Sequence, residues 1–187
     1  MFFKKPVILV AISALVLFFH CGSEPKVTGP RPKQWATALE QEGIKNFYKV
    51  SAALYRGAQP QKIGFAALKR LGVKTIVNFQ TSNEDQALLN GYDFYYYHLS
   101  MNPFFPQKKK FLRFLEIVSD PAHQPVFVHC QRGADRTGAA VALYRIKIQK
   151  WPVDEAIAEM VSGGYHFHRI HNHLKRFIRN FWKSGPK

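Results

Sequence analysis

The chain has 187 residues, 47% of them hydrophobic and 14% aromatic, which excludes a disordered polar chain unable to bury enough apolar surface to offset its conformational entropy. One domain of ordinary size is expected at this length, with a core that needs no disulfide scaffold, and two cysteines could not build one. The 27 lysines and arginines against 12 acids give a formal charge of +15 at pH 7, a potential that favours nucleic acid, anionic lipid head groups or phosphorylated substrates without choosing among them.

At the start of the chain, Lys4 and Lys5 precede an uncharged run over 6–19, and residues 1–20 read as an export signal. The run is shorter than the roughly 20 apolar residues that cross a bilayer comfortably, so a permanent membrane helix is the weaker reading. Cys21 follows, with Gly22 and Ser23 behind it, and the arrangement resembles a bacterial lipoprotein signal whose cysteine becomes the lipidated N-terminus. Phe18, Phe19 and His20 depart from the small residues usual before that cysteine, which leaves an ordinary cleaved signal or a short uncleaved anchor as alternatives. The expected location is exported and membrane-anchored, facing the periplasm or cell surface. Residues 1–20 hold two lysines and no acid, so the basic character belongs to the rest of the chain. If Cys21 carries lipid, Cys130 is the only other thiol and has no disulfide partner. Residues 21–34, with Pro25, Gly29, Pro30 and Pro32, suit a tether, and the folded domain is expected over 35–187, from Trp35.

Apolar bursts then alternate with helical patterns. Strands are expected over 53–56, 75–79, 94–99 and 126–129, where β-branched and aromatic residues concentrate. Helices are expected over 63–71, along the stripe Phe111, Phe114, Leu115 and Val118 stopped by Asp120 and Pro121, and over 139–148, apolar on most sides. Pro152, Asp154 and Glu155 open a further helix ending at Gly163 and Gly164, and a last helix places Ile170, Leu174, Phe177, Ile178 and Phe181 on one face. The alternation argues for an α/β layer fold with its site at the carboxyl ends of the strands.

The chemistry concentrates in His129-Cys130-Gln131-Arg132-Gly133-Ala134-Asp135-Arg136-Thr137-Gly138, between the strand ending at His129 and the long helix. A loop of this size can curl so that its backbone N–H groups and the helix N-terminus aim at one phosphate. Arg136 supplies a planar fork for two phosphate oxygens, which lysine cannot. The same donors favour a thiolate at Cys130, and thiolate attack gives a phosphocysteine that water splits in a second step. A cysteine six residues before an arginine is a weak pattern alone. The apolar strand ending in His-Cys, the glycine in the loop, the Arg-Thr-Gly ending and the apolar helix make it specific.

These residues resemble the cysteine-dependent protein tyrosine and dual-specificity phosphatase superfamily. The resemblance extends from about Tyr48 to about His173: Leu54-Tyr55-Arg56-Gly57-Ala58-Gln59-Pro60 looks like the opening strand and turn of bacterial dual-specificity-like members, and Glu159-Met160, Gly163-Gly164-Tyr165 and His168 are similar to their region after the catalytic helix. It implies a mainly parallel sheet of four or five strands flanked by helices, catalytic Cys130 and Arg136, and a substrate cradle of Gln131, Arg132, Gly133, Ala134 and Arg136. It also implies a Thr137 hydroxyl that bonds the cysteine sulfur, with Gly133 and Gly138 permitting the tight turn and close packing. It implies no cofactor and no metal. One departure matters. Many relatives carry a general-acid aspartate upstream of the cysteine, whereas 94–117 holds no carboxylate except Glu116, inside an expected helix. Asp135 is the substitute, since a similar Asp-Arg-Thr ending occurs in inositol-lipid phosphatases and some bacterial tyrosine phosphatases; its other reading is a loop-rigidifying carboxylate. Glu84 and Asp85 read first as solvated charges or helix-start residues, and His129 as a residue that orients the loop.

His166, His168, His171 and His173 are expected to be packed or partly exposed rather than to bind metal. Arg132, Lys108, Lys109, Lys110 and the acid-free stretch 160–187 fit a polyphosphorylated substrate or an anionic membrane, or form a solvated basic face. The aromatic residues fall mostly in core patterns, so nucleic acid is not the expected partner. The expected function is hydrolysis of phosphate monoesters, with phosphotyrosine protein as first substrate class and phosphoinositide or inositol polyphosphate as second. A non-catalytic phosphate-binding module that keeps the loop is the alternative. A thiol redox or sulfur-transfer enzyme comes third, since the loop carries arginine and no second cysteine.

Overall fold

Four strands form the centre of the molecule: β3 (Leu54–Ala58), β4 (Thr75–Asn78), β5 (Tyr95–His98) and β6 (Val126–Cys130), of which β4, β5 and β6 are rich in β-branched or aromatic residues. The structure is a computed structural model that describes residues 31–183. The expected export signal, Cys21 and all of the tether before Arg31 lie outside the described residues. Among the described residues no helix is long and apolar enough to cross a membrane.

The sheet has six strands in the order β1-β2-β3-β6-β4-β5, where the sequence reading expects four or five. The additional strands are β1 (Thr37–Ala38) and β2 (Tyr48–Lys49), two-residue pieces too short to leave an alternation pattern, which add antiparallel to β3. The other four pair in parallel. Their register sets Ala58 beside Cys130 and Asn78 beside His129, so the carboxyl ends of β3, β4 and β6 converge on one edge, where an open α/β sheet holds its site.

Both faces are covered, which explains the near-continuous apolar content of β6. On one face Val77, Val126 and Val128 join α3 (Lys108–Ser119), α4 (Asp135–Lys147), α5 (Val153–Ser162) and α6 (His173–Asn180) through Phe111, Phe114, Leu143, Ile157 and Ile178. On the other, Ile76 and Phe127 pack with Ile44, Phe47 and, from α1 (Lys62–Arg70), Phe65 and Leu68. The short α2 (Asp85–Leu88) follows β4. Helix α3 stops where foreseen: the Asp120 carboxylate accepts from the backbone of Ala122 and opens the one-turn helix Pro121–His123. The last helix is shorter than expected. Leu174, Ile178 and Phe181 are buried, but Ile170 sits in the separate turn Arg169–His171 and is exposed.

A buried ion pair joins these layers. Arg145 on α4 donates through Nε to Glu159 Oε2 at 2.7 Å and through Nη2 to Oε1 at 2.8 Å, and Glu159 Oε1 also accepts from the Tyr165 hydroxyl and the Ala36 amide. Arg31, assigned to the tether from composition, is tied to the same corner: its guanidinium donates to the carbonyls of Gly163 and Ala36 and to the Tyr165 hydroxyl.

Candidate active site

All five residues of β6 are buried, and Cys130 ends the strand only 3% exposed, with no disulfide partner among the described residues. The chain turns through Gln131, Arg132, Gly133 and Ala134 and enters α4 at Asp135. The partial positive charge of that helix start therefore faces the loop. Gly133 is required twice over. Its φ is +66°, and a Cβ there would lie 2.4 Å from the Gly57 carbonyl carbon and oxygen. Gly138 packs closely too, a Cβ there falling 2.9 Å from Met160. Arg136, in the first turn of α4, donates through Nη1 to the carbonyls of Met101 at 2.9 Å and Phe79 at 3.2 Å. The segments leaving β4 and β5 thus hold the guanidinium at the start of α4, six residues after Cys130.

Other residues support the loop from below. Arg56 on β3 is fully buried; its Nη2 donates to Gly133 O at 2.6 Å and its guanidinium carbon lies 3.7 Å from the Tyr165 ring centre. Burial pushes its pKa down, opposed by the electrostatic effects of Tyr165, Glu159 and Cys130. Asn46, itself in a left-handed conformation, donates to the carbonyls of Arg132 and Tyr165. His129 is fully buried, stacked on Phe127, with Nε2 2.9 Å from Asp85 Oδ2. Gln59 donates to the other oxygen of Asp85 at 3.0 Å. Burial alone pushes the Asp85 carboxyl up, but His129 and Gln59 outweigh it and hold it below its ordinary value. Asp85 is a helix-start residue as expected, yet it is not solvated: it is 0% exposed, whereas Glu84 is exposed.

Asp135 is buried, and both its oxygens turn to one neighbour. Oδ1 accepts from the His168 backbone amide at 2.9 Å and Oδ2 lies 2.8 Å from His168 Nδ1, with His171 Nε2 4.0 Å away. The four histidines near the last helix do not converge as a ligand set: His173 Nε2 meets the Pro103 carbonyl and His166 is exposed. Among the described residues no group of three or more histidine, cysteine or carboxylate side chains could hold a metal ion.

Thr137 is fully buried, but its hydroxyl has no hydrogen-bond partner among the described residues, so the expected bond to the cysteine sulfur is not formed here. The basic residues divide. Lys110 donates to Ser100 O and Lys108 lies over the Phe181 ring, whereas Lys109 and Arg132 are exposed, Arg132 on the loop itself. Next to the loop, Gln41, Lys45, Gln59, Gln61 and Gln131 line a cleft of about 310 Å³. The sequence reading misses Asn46 and the roles of Gln59, Arg56, Asp85 and His168. Within the sequence, Arg56 and Gln59 are marked only as parts of a resemblance, and His168 only there and in the histidine cluster.

Residues 43–185 match the tyrosine phosphatase family, and the chain belongs to it. It is 33% identical over 141 residues to the dual specificity protein phosphatase TpbA of Pseudomonas aeruginosa, a match covering 75% of this chain and 63% of that protein. To the inositol diphosphatase SIW14 of Saccharomyces cerevisiae it is 34% identical over 116 residues, covering 57% of this chain and 41% of the relative. The chain spans less than two thirds of the length of either curated relative. A crystal structure of P. aeruginosa TpbA in complex with pTyr superimposes with a TM-score of 0.71 at 31% identity, covering 80% of this chain and 91% of that one.

Proposed function

We propose that this protein hydrolyses phosphate monoesters through a cysteinyl-phosphate intermediate at Cys130. The observation that carries this reading is the loop from Cys130 to Arg136: a thiol at a strand end, a glycine pressed against the Gly57 carbonyl, a helix start and an arginine held by two carbonyls. Cys130 Sγ attacks phosphorus, the phosphorus–oxygen bond to the leaving group breaks, and water then displaces the sulfur. The N–H groups of residues 131–136 and the Arg136 fork stabilise the equatorial oxygens, whose charge the transition state spreads. Arg56, a buried cation beneath the loop, supports the negative charge above it.

Phosphotyrosine protein is the first substrate class, supported by the likeness to TpbA and to its structure with pTyr. A phosphoinositide or inositol polyphosphate is the second, supported by the likeness to SIW14, by exposed Arg132 on the loop and by the amide-lined cleft with Lys45. The protein acts outside the cytoplasm, tethered by lipid on Cys21, and its basic face suits an anionic membrane. Release of inorganic phosphate across phosphotyrosyl peptides, phosphoinositides and inositol polyphosphates tests the substrate class. The highest kcat/KM is expected for phosphotyrosyl peptides, and a preference for an inositol substrate overturns the first choice in favour of the second.

A further inference from the structure

Proton delivery is the step that the loop alone does not explain. The segment before α3 holds no carboxylate, and Asp135 has both oxygens committed to His168. One is held by a backbone N–H, which can only donate, and the other by ring Nδ1. A carboxylic acid that serves a leaving oxygen has to present a protonated oxygen to it. Asp135 turns neither oxygen that way. His168 Nε2 has only a long contact, accepting from Nη1 of the exposed Arg132 side chain at 3.5 Å. With Nδ1 on Asp135, that contact falls on the exposed side of the loop, and the side chain is 36% exposed.

We propose that His168 is the general acid of the reaction, and that Asp135 is a positioning residue that holds its ring so that Nε2 faces the phosphate loop. The arrangement follows the logic of a catalytic histidine oriented by a carboxylate on its other nitrogen. The proposal rests on the phosphatase reading above. In the first step the sulfur–phosphorus bond forms, the phosphorus–oxygen bond breaks with its electron pair passing to the leaving oxygen, and His168 Nε2 gives that oxygen its proton. In the second, neutral Nε2 takes a proton from the water that attacks the phosphocysteine, and the sulfur–phosphorus electron pair returns to Cys130. Ester and water become alcohol and phosphate, and both residues are restored.

The other histidines are placed for different work. His171 is buried, and burial lowers its pKa against the pull of Asp135. His173 and His98 are engaged at Nε2 by the carbonyls of Pro103 and Gln80. Among the described residues, the charged and titratable groups that contact His168 are Asp135 from α4, Arg132 from the loop and His171 from the following turn, Asp135 being the acid of the three.

The test uses His168→Asn, whose amide nitrogen can replace Nδ1 opposite Asp135 while Nε2 is lost, and His168→Gln, whose amide reaches the Nε2 position but cannot transfer a proton. The quantity measured is kcat/KM across pH for phenyl phosphate and for p-nitrophenyl phosphate, whose leaving group departs without protonation. Both variants are expected to lose about 10²-fold or more on the phenyl ester, with little change on the nitrophenyl ester and loss of the alkaline limb of the pH profile. Asp135→Asn is expected to show the same selectivity with a smaller loss. Retained phenyl phosphate hydrolysis, or an equal loss on both esters in both variants, overturns the assignment. Selectivity in Asp135→Asn alone makes Asp135 the acid. Absence of Cys130-dependent release by the unmodified protein from either ester overturns the phosphatase reading and this proposal with it, a result distinct from the other two.

Discussion

Cys130, Gly133 and Arg136 lie within seven consecutive positions, so the turn and the helix start that unite them are local consequences of the sequence. Asp85 is the opposite case. It reaches His129 only because β4 and β6 pair in parallel, with Asn78 beside His129, and α2 begins shortly after β4. Asp85→Asn is expected to destabilise the fold by about 1–3 kcal/mol at neutral pH, because it removes a buried carboxylate from His129 and Gln59. The pH dependence has a definite sign. A carboxyl held below its ordinary value of 3.8 contributes stability that is present above that value and is lost as pH falls through the lower, folded value. Urea unfolding between pH 7 and pH 3 checks this: the native protein should weaken toward acid more steeply than Asp85→Asn, and parallel curves would contradict it. The same distance in sequence hides Arg56 and the pairing of His168 with Asp135. No local pattern separates a buried arginine under a loop from one on a strand surface, and no carboxylate stands near the histidines in sequence.

At the scale of elements, β4 and β6 announce themselves through β-branched residues, β5 through its tyrosines, and the helices α1, α3, α4 and α5 through apolar stripes and stop residues such as Asp120-Pro121 and Gly163, whereas β3 is carried mainly by the resemblance of its Leu54–Pro60 stretch. Strands β1 and β2 and helix α2 do not announce themselves, since two to four residues cannot show a period and their existence depends on what they pack against. Ile170 continues the apolar stripe of the last helix on paper, but the turn Arg169–His171 breaks the phase before α6 begins. The join between α4, α5 and the start of the domain rests on Glu159, which is 1% exposed and pairs with Arg145 while accepting from Tyr165 and Ala36. Glu159→Ala leaves Arg145 buried without its carboxylate and is expected to cost about 3–5 kcal/mol. The denaturant midpoint measures it. An unchanged midpoint would mean that the pair contributes nothing to holding α5 on α4.

At the scale of the whole molecule, the excess of base over acid is visible in composition, but its use is not. Lys110 and Lys108 are spent on a carbonyl and a ring, whereas Arg132 and Lys109 stay exposed. The proposed N-terminal tether belongs to this scale too. Cys21→Ala is expected to release the protein from membranes or to block its maturation; fractionation followed by N-terminal sequencing tests this, and a membrane-bound chain that still begins at Met1 would favour an uncleaved anchor. The central claim is that the loop around Cys130 both binds and cleaves a phosphate ester. It is tested most directly by measuring turnover of a phosphotyrosyl peptide together with tungstate binding in the unmodified protein, Cys130→Ser and Arg136→Lys. Cys130→Ser should lose turnover and keep tungstate affinity, since the nucleophile goes while the backbone cradle stays, and Arg136→Lys should lose turnover because a point charge cannot replace the planar fork. Near-normal turnover in either variant, or an unmodified protein that binds tungstate and releases no phosphate, would contradict it.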